Sequence, residues 1–122
     1  MKIYSIGIGP GDKSLMTPQA VSALSDSEVI VAYTPYMDYI SDIVEGKEVI
    51  NTGMKKERER AAQAFAEAEK GKTVSVISSG DSGVYGMAPL LWEMKQELGS
   101  DIEIEVIPGI SAMFDAAAKL GA

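Results

Sequence analysis

The sequence contains neither cysteine nor histidine. Without cysteine the chain can form no disulfide and no thiolate zinc site, and without histidine it can form neither a Ser-His-Asp triad nor a Cys-His nucleophile. Its chemistry must therefore come from carboxylates, hydroxyls, amines, backbone dipoles or a bound cofactor. The acidic residues Asp38, Asp42 and Glu45 are expected to be solvated, so we expect no metal site.

Basic residues and long apolar runs are also scarce. There are 11 lysines and arginines against 18 acidic residues, which gives a net charge of −7. General nucleic-acid binding needs a basic face that displaces counterions, so we expect no nucleic-acid partner. No run of about 18 apolar residues is present, and the first residues lack the long apolar region of a secretory signal. We therefore expect a cytoplasmic protein with no membrane partner.

Predicted strands and helices alternate along the 122 residues, with no internal repeat. Such alternation is typical of parallel strands that are joined by right-handed crossovers and covered by helices on both faces. The sequence therefore predicts an α/β fold, a three-layer domain over residues 1–122 with a mostly parallel sheet of about five strands. The predicted strands cover residues 2–8, 28–33, 48–52, 73–78 and 102–107. Four helices are predicted: one begins after Thr17, one covers residues 56–70, one begins near Met87 and one covers residues 110–120.

The apolar pattern also predicts where individual elements lie. Residues 73–78 are apolar on both faces, which indicates a central strand. The alternation of isoleucine and glutamate from Ile102 onwards indicates a strand with one wet face, at the edge of the sheet. The predicted buried faces of the first two helices consist of Val21 and Leu24, and of Ala61, Phe65 and Ala68.

Three loops rich in glycine, proline and short polar residues follow the first, fourth and fifth predicted strands. They are residues 7–12 (loop 1), 79–86 (loop 2) and 108–112 (loop 3). In an open α/β sheet, ligands bind beyond the carboxyl ends of the strands, where these loops fall. Glycine lets backbone amides approach a ligand closely, and each loop opens a helix with free amides. Any one such loop is common as a purely structural turn, but three on one edge favour a ligand site.

Three motifs of other protein classes are excluded on inspection. Loop 1 starts like the dinucleotide fingerprint, but Asp12 takes the place of its third glycine. Residues 71–73 imitate the end of a P-loop, but they precede a strand instead of opening a helix. Residues 80–83 resemble the nucleophile loop of serine proteases, which requires a histidine that this chain lacks.

The order and spacing of the three loops resemble the signature of the tetrapyrrole methylase family. Loop 1 carries Gly-x-Gly-Pro-Gly-Asp, loop 2 carries Gly-Asp-x-x-x-Tyr-Gly and loop 3 carries Pro-Gly-x-Ser-Ala. Within the family, residues 52–55 and 78–87 resemble the ring-contracting precorrin-3B branch. Lys13 and Ser82 depart from the family, which commonly has proline at both positions, and this changes loop stiffness more than chemistry.

The resemblance implies an S-adenosylmethionine-dependent methyltransferase of cobalamin biosynthesis that methylates C17 of precorrin-3B. It also implies a homodimer whose subunits have two α/β domains with the cofactor between them. Residues 1–122 correspond to the first domain, which is expected to be inactive alone. The cofactor contacts that the motifs carry over are Pro10, Ser79, Gly80, Asp81, Val84, Ser111 and Ala112.

Methyl transfer from a sulfonium is an in-line displacement that needs mainly alignment and exclusion of water. A chain without histidine or cysteine is compatible with such a reaction. Ring contraction also requires proton movement, for which Asp12 is the candidate acid or base, with Tyr33 as its hydrogen-bond partner. Asp12 can equally be a turn residue.

The candidate contacts to the tetrapyrrole substrate are Lys13, Tyr36 and Lys55. The basic residues at 55, 56, 58 and 60 can attract the carboxylates of such a substrate. Alternating lysine, arginine and glutamate is, however, the usual pattern of a solvated helix face. We therefore expect these four basic residues to be solvated.

Other functions remain open at this stage. Methylases that act on other precorrins, uroporphyrinogen, diphthamide or ribosomal RNA have related loops. The chain can also be a non-catalytic binding or interaction module. Glycine loops at helix starts are compatible with a nucleotide- or phosphate-binding enzyme as well.

Overall fold

Five parallel strands form one sheet with the order β3-β2-β4-β1-β5. The computed structural model describes residues 2–11, 13–83 and 86–121. This sheet confirms the predicted α/β class, with the fourth strand in the centre and the fifth at an edge. The strands are β1 (Lys2–Gly7), β2 (Val29–Tyr33), β3 (Glu48–Thr52), β4 (Thr73–Ser78) and β5 (Glu103–Ile107).

In the part of the chain that the structure describes, four α-helices and two short 3-10 helices connect or follow the strands. The α-helices are α1 (Pro18–Asp26), α2 (Glu57–Glu69), α3 (Ala88–Leu98) and α4 (Ala112–Lys119), and the 3-10 helices are Lys13–Leu15 and Thr34–Tyr39. The Thr17 hydroxyl caps α1 by accepting a hydrogen bond from the amide of Ala20 at 3.0 Å, and Pro18 takes the first helical position as predicted. No helix in the described ranges is both long and apolar enough to cross a membrane.

Hydrophobic cores on both faces of the sheet make this a three-layer domain. On one face, Phe65 of α2 and Leu91 of α3 pack against the strands. On the other face, Leu24 of α1 and Ile40 pack against the opposite sides of the same strands. Burying a leucine or phenylalanine side chain stabilises the fold by about 1.5–3 kcal/mol.

Two predictions about burial are wrong in detail. Val21 is 37% exposed, because the buried stripe of α1 runs through Ala20, Ala23 and Leu24 instead. Along β5, Val106 breaks the expected alternation because it is 38% exposed, while the following Ile107 is buried. By contrast, the predicted apolar side of α2 is confirmed, since Ala61, Phe65 and Ala68 are all buried.

The order of the strands creates a crevice at one edge of the sheet. β1 and β4 lie side by side, yet α1 follows β1 on one face and α3 follows β4 on the other. The chain therefore leaves the carboxyl ends of these neighbouring strands in opposite directions. In doubly wound folds, this is the place where ligands bind.

Candidate functional site

Loops 1 and 2 are joined directly by backbone hydrogen bonds. The amide of Gly9 donates to the carbonyl of Gly80 at 3.0 Å, and the amide of Gly80 donates to the carbonyl of Gly9 at 2.7 Å. Both residues have positive φ angles, 84° for Gly9 and 68° for Gly80, which glycine adopts without steric cost. This isolated antiparallel bridge lies beyond the ends of the parallel strands β1 and β4 and joins the two loops.

Loop 3 packs against the other two loops at Gly109. A β-carbon at this position would lie 2.6 Å from the carbonyl oxygen of Gly7 and closer still to that of Gly80. Only glycine therefore allows loop 3 to reach the junction of loops 1 and 2. The described parts of the three loops thus converge at one edge of the sheet, as the sequence predicts.

Asp81 links loops 2 and 3 through both of its carboxylate oxygens. One oxygen accepts a hydrogen bond from the amide of Gly109 at 2.9 Å, and the other accepts one from the amide of Gly83 at 2.9 Å. Hydrogen bonds from amides to a carboxylate are stronger than those between neutral groups. Each oxygen keeps a second lone pair, so Asp81 can still accept a bond from a ligand. The motif predicts that Asp81 contacts the cofactor. The structure adds that Asp81 also joins loop 2 to loop 3.

Buried hydroxyl groups anchor loop 2 to the sheet. The side chain of Ser82 is fully buried and forms a hydrogen bond with the hydroxyl of Ser5 in β1. The hydroxyl of Ser78 accepts a bond from the amide of Met87 at 2.9 Å, which ties the end of β4 to the residue that precedes α3. A side-chain hydrogen bond at Ser82 therefore holds loop 2 to β1.

Loops 2 and 3 border a cleft of about 470 Å³, whereas no described residue of loop 1 lines it. Its walls come from the ends of β2 and β4, loops 2 and 3, and the first turns of α2 and α4. The lining joins polar groups to apolar ones such as Ile77, Met87 and Met113. The predicted site residues that line the cleft are Tyr33, Tyr36, Ser79, Gly80, Asp81, Ser111 and Ala112.

Ser111 is both part of this cleft and the N-cap of α4. Its hydroxyl oxygen accepts a hydrogen bond from the amide of Met113 at 3.2 Å, and the residue is only 6% exposed. The hydroxyl retains its own proton to donate, so a ligand acceptor can still bind to it. The cap brings the first turn of α4 to the cleft.

Several predicted site residues lie elsewhere or outside the description. Pro10 is partly exposed and does not line the cleft, and Lys55 lies in an exposed turn with a φ angle of 62°. Asp12 and Val84 fall outside the described residues, and so does the side chain of Lys13. The roles predicted for these five residues stay predictions.

Arg60 is a cleft residue that the sequence analysis placed on a solvated helix face. The residue is only 5% exposed and lines the cleft, so that expectation is wrong. Helical spacing offers a signal, because Ala64 and Ala68 follow Arg60 at intervals of four residues and are both buried. This spacing places Arg60 on the buried side of α2.

The neighbouring basic residues are solvated as expected. Arg58 forms an ion pair with Glu97 at 2.9 Å, and Lys56 forms one with Glu59 at 3.6 Å, all with exposed side chains. Lys55 is exposed as well. Of the four basic residues at the start of α2, only Arg60 contributes to the cleft.

Residues 2–122 match the family model of the Tetrapyrrole (Corrin/Porphyrin) Methylases. The chain belongs to the tetrapyrrole methylase family. This tetrapyrrole methylase chain is 46% identical over 125 residues to the cobalt-factor III methyltransferase of Priestia megaterium, with 99% of the chain and 23% of that protein covered. It is 44% identical over 117 residues to a probable cobalt-factor III C(17)-methyltransferase of Salmonella typhimurium, with 96% of the chain and 48% of that protein covered.

Solved structures of tetrapyrrole methylases share the fold. A crystal structure of the methyltransferase CobJ matches 99% of the chain with a TM-score of 0.89 and 38% identity. The match covers 51% of that crystallised chain. The chain thus spans about half the length, or less, of the relatives named here.

Proposed function

We propose that the chain forms the amino-terminal domain of an S-adenosylmethionine-dependent methyltransferase of cobalamin biosynthesis. Its reaction is methylation of precorrin-3B, or of the corresponding cobalt-factor III, at C17 with ring contraction. The observation that carries this proposal is the convergence of the described parts of loops 1, 2 and 3 at one edge of the sheet, where loops 2 and 3 line a cleft. The names of the relatives, which specify cobalt-factor III and position C17, support the choice of substrate.

The residues of the cleft fit such a cofactor chemically. Ser79, Asp81 and Ser111 offer hydroxyl and carboxylate groups for its polar atoms, and the backbone of Gly80 is open to close approach. The apolar side chains of Ile77 and Met87 lie in the same lining and suit a planar base. When bound, the cofactor supplies a methyl group that its sulfonium activates.

The residues of this chain would act by binding and alignment. Loops 2 and 3 hold the cofactor, and the Asp81 clamp keeps the two loops at a fixed spacing. Tyr33 and Tyr36 line the same cleft and are proposed to face the tetrapyrrole. Correct alignment of a nucleophile with an activated methyl group accounts for much of the catalysis of such a displacement. Asp12 is proposed as the acid or base of the ring contraction, with Tyr33 as its partner.

The proposal extends to the rest of the molecule. A second α/β domain completes the cleft, since the relatives are about twice as long as this chain or longer. The full-length protein is proposed to be a cytoplasmic homodimer, as the resemblance to the family implies.

Replacement of Asp81 tests the cofactor site. We expect Asp81→Ala to weaken binding of S-adenosylhomocysteine to the full-length protein by about tenfold or more, because hydrogen bonds to a charged group contribute about 1.5–3 kcal/mol. Asp81→Asn, which keeps one acceptor oxygen, should fall between the wild type and the alanine variant. Isothermal titration calorimetry measures the three affinities.

Asp101→Ala is the matched control, because Asp101 is an exposed carboxylate remote from the three loops. Its affinity should equal that of the wild type. If Asp81→Ala bound the cofactor product as tightly as this control, the proposed site would be refuted.

A further inference from the structure

Arg60 is a buried cation in the wall of the cleft. Its side chain is only 6% exposed, although arginine is among the residues least often buried. Removing a guanidinium from water is costly unless hydrogen bonds replace the lost hydration. The groups that contact the guanidinium of Arg60 therefore indicate the structural role of this buried side chain.

The guanidinium is tied to the carboxyl end of β3. Its Nη1 donates to the hydroxyl of Thr52 at 2.7 Å and to the carbonyl of Gly53 at 3.2 Å. The hydroxyl of Thr34 in turn donates to the carbonyl of Thr52 at 3.1 Å, which links the ends of β2 and β3. Arg60 thus holds α2 to the point where the chain leaves β2 and β3.

Tyr33 lies directly against this cation. The Cζ atom of Arg60 is 5.6 Å from the centre of the Tyr33 ring, within the range of a cation–π contact. The ring of Tyr36 meets Tyr33 edge-on, with 5.2 Å between centres and 87° between planes. Tyr33 is therefore held between a fixed guanidinium and a second aromatic ring, and all three side chains line the cleft.

We propose that Arg60 is a positioning residue that fixes the ring of Tyr33 in the wall of the cleft. Its Nη1 is bound at the end of β3, and its Nη2 lies 3.8 Å from a carboxylate oxygen of Glu57. The guanidinium is therefore fixed from two sides and sets where the phenol lies. A lysine at position 60 keeps the charge but loses this geometry. The kinetic part of the test rests on the proposed methyltransferase activity, whereas the spectroscopic part does not.

The spectroscopic test uses full-length protein labelled with 3-fluorotyrosine, with the resonance of Tyr33 assigned through Tyr33→Phe. In Arg60→Met we expect the Tyr33 resonance to shift and broaden while that of Tyr4, on the far side of the sheet, is unchanged. Arg58→Met is the control, because Arg58 is exposed and pairs with Glu97 outside the cleft. It should leave both resonances in place.

The kinetic test compares the same variants in methyl transfer. A displaced Tyr33 should lower kcat of Arg60→Met by about tenfold to a hundredfold, since misplacement of about 1 Å can cost that much. The KM for S-adenosylmethionine should change little, because loops 2 and 3 are intact, and Arg60→Lys should recover only part of kcat. Arg58→Met should keep the kcat of the wild type.

The outcomes separate the two proposals. An unchanged Tyr33 resonance in Arg60→Met would overturn the positioning role, and so would a kcat equal to that of Arg58→Met in an active enzyme. If Arg60→Met does not fold, Thr52→Val removes one anchor of the guanidinium at nearly constant volume and must still shift the Tyr33 resonance, or the role is refuted. A wild-type protein without methyltransferase activity would refute the proposed function alone, because the resonance test stands without it.

Discussion

At position 109 the backbone itself decides which side chain is possible. The α-hydrogen of Gly109 faces the carbonyl oxygens of Gly7 and Gly80, where a β-carbon has no room. Both obstacles belong to the backbone, so neither can turn aside as a flexible side chain would. The three loops can therefore meet only because residue 109 has no β-carbon.

Gly109→Ala should disturb the site and the fold together. We expect the added methyl group to push loop 3 away from loops 1 and 2 at a cost of about 1–3 kcal/mol in the free energy of unfolding, as in other overpacked interiors. The displacement also breaks the bond between Asp81 and the Gly109 amide, so affinity for S-adenosylhomocysteine should fall. Urea unfolding and calorimetry measure the two effects.

Gly53→Ala provides the comparison for this prediction. A β-carbon at position 53 meets nothing within 4 Å, and its φ angle is not in the left-handed region. This variant should unfold within about 0.5 kcal/mol of the wild type, as surface substitutions usually do. Equal stability of the two alanine variants would contradict the close packing of loop 3 against loops 1 and 2.

Among the elements, α2 is tied to β3 and β4 by one charged cluster. The carboxylate of Glu67 in α2 is 12% exposed and accepts from Lys72 at 3.1 Å and from Lys70 at 3.2 Å. Lys72 also pairs with Glu48 of β3 at 3.4 Å. These bonds, first to Lys72 and then to Lys70, hold the pKa of Glu67 below its ordinary value of 4.5. The same carboxylate, followed by Glu48, raises the pKa of Lys72 above 10.5.

The shifts predict how stability depends on pH. The pKa of Glu67 is lower in the folded state than in the unfolded state. Its contribution to the free energy of unfolding is therefore complete above the pKa of the unfolded state, and it is lost as the pH falls through the pKa of the folded state. For Lys72, whose folded pKa is raised, the contribution is present below 10.5 and is lost at higher pH. The cluster should therefore stabilise the fold between about pH 4.5 and 10.5.

Glu67→Gln should be less stable than the wild type at pH 7, and the difference should shrink as the pH falls below 4.5. Urea unfolding at a series of pH values from neutral to acid measures it. Glu59→Gln is the control, because Glu59 is exposed and its ion pair with Lys56 lies on the solvated surface within one turn. A difference between Glu67→Gln and the wild type that is the same at pH 7 and pH 3 would contradict the assignment.

Elements with a strong local signal could be predicted from sequence, whereas those shaped by their neighbours could not. The cap and proline at Thr17 and Pro18 mark the start of α1 without reference to the rest of the chain. The 3-10 helix Thr34–Tyr39 also has a proline near its start, but no side chain caps it, and it was not predicted. Its tyrosine at position 36 packs against the core under α1 and reaches the cleft, so tertiary contacts determine its place.

At the scale of the whole molecule, the cleft is open on the side of α4. No described residue of α4 is buried, and Met113, Phe114 and Leu120 are 59%, 65% and 85% exposed. Met113 lines the cleft from this helix. The wall at α4 thus lacks the packing that supports the walls at α2 and β4.

We expect the 122-residue chain by itself to show no methyl transfer, because alignment and exclusion of water require a closed cleft. The measurement is transfer of a labelled methyl group from S-adenosylmethionine to precorrin-3B or cobalt-factor III. The full-length protein serves as the positive control under the same conditions. Turnover by the isolated chain would show that this half of the family fold is sufficient.

The sequence by itself determined the α/β class, the family and the edge of the sheet at which the site lies. These follow from local patterns, namely alternating strands and helices and three glycine loops placed after strands, which need no knowledge of distant contacts. Only the tertiary structure decided that Asp81 clamps two loops, that Ser82 binds Ser5, and that Arg60 turns inward beneath Tyr33. Each of these contacts joins residues far apart in the chain, and their partners depend on how strands and helices pack in space.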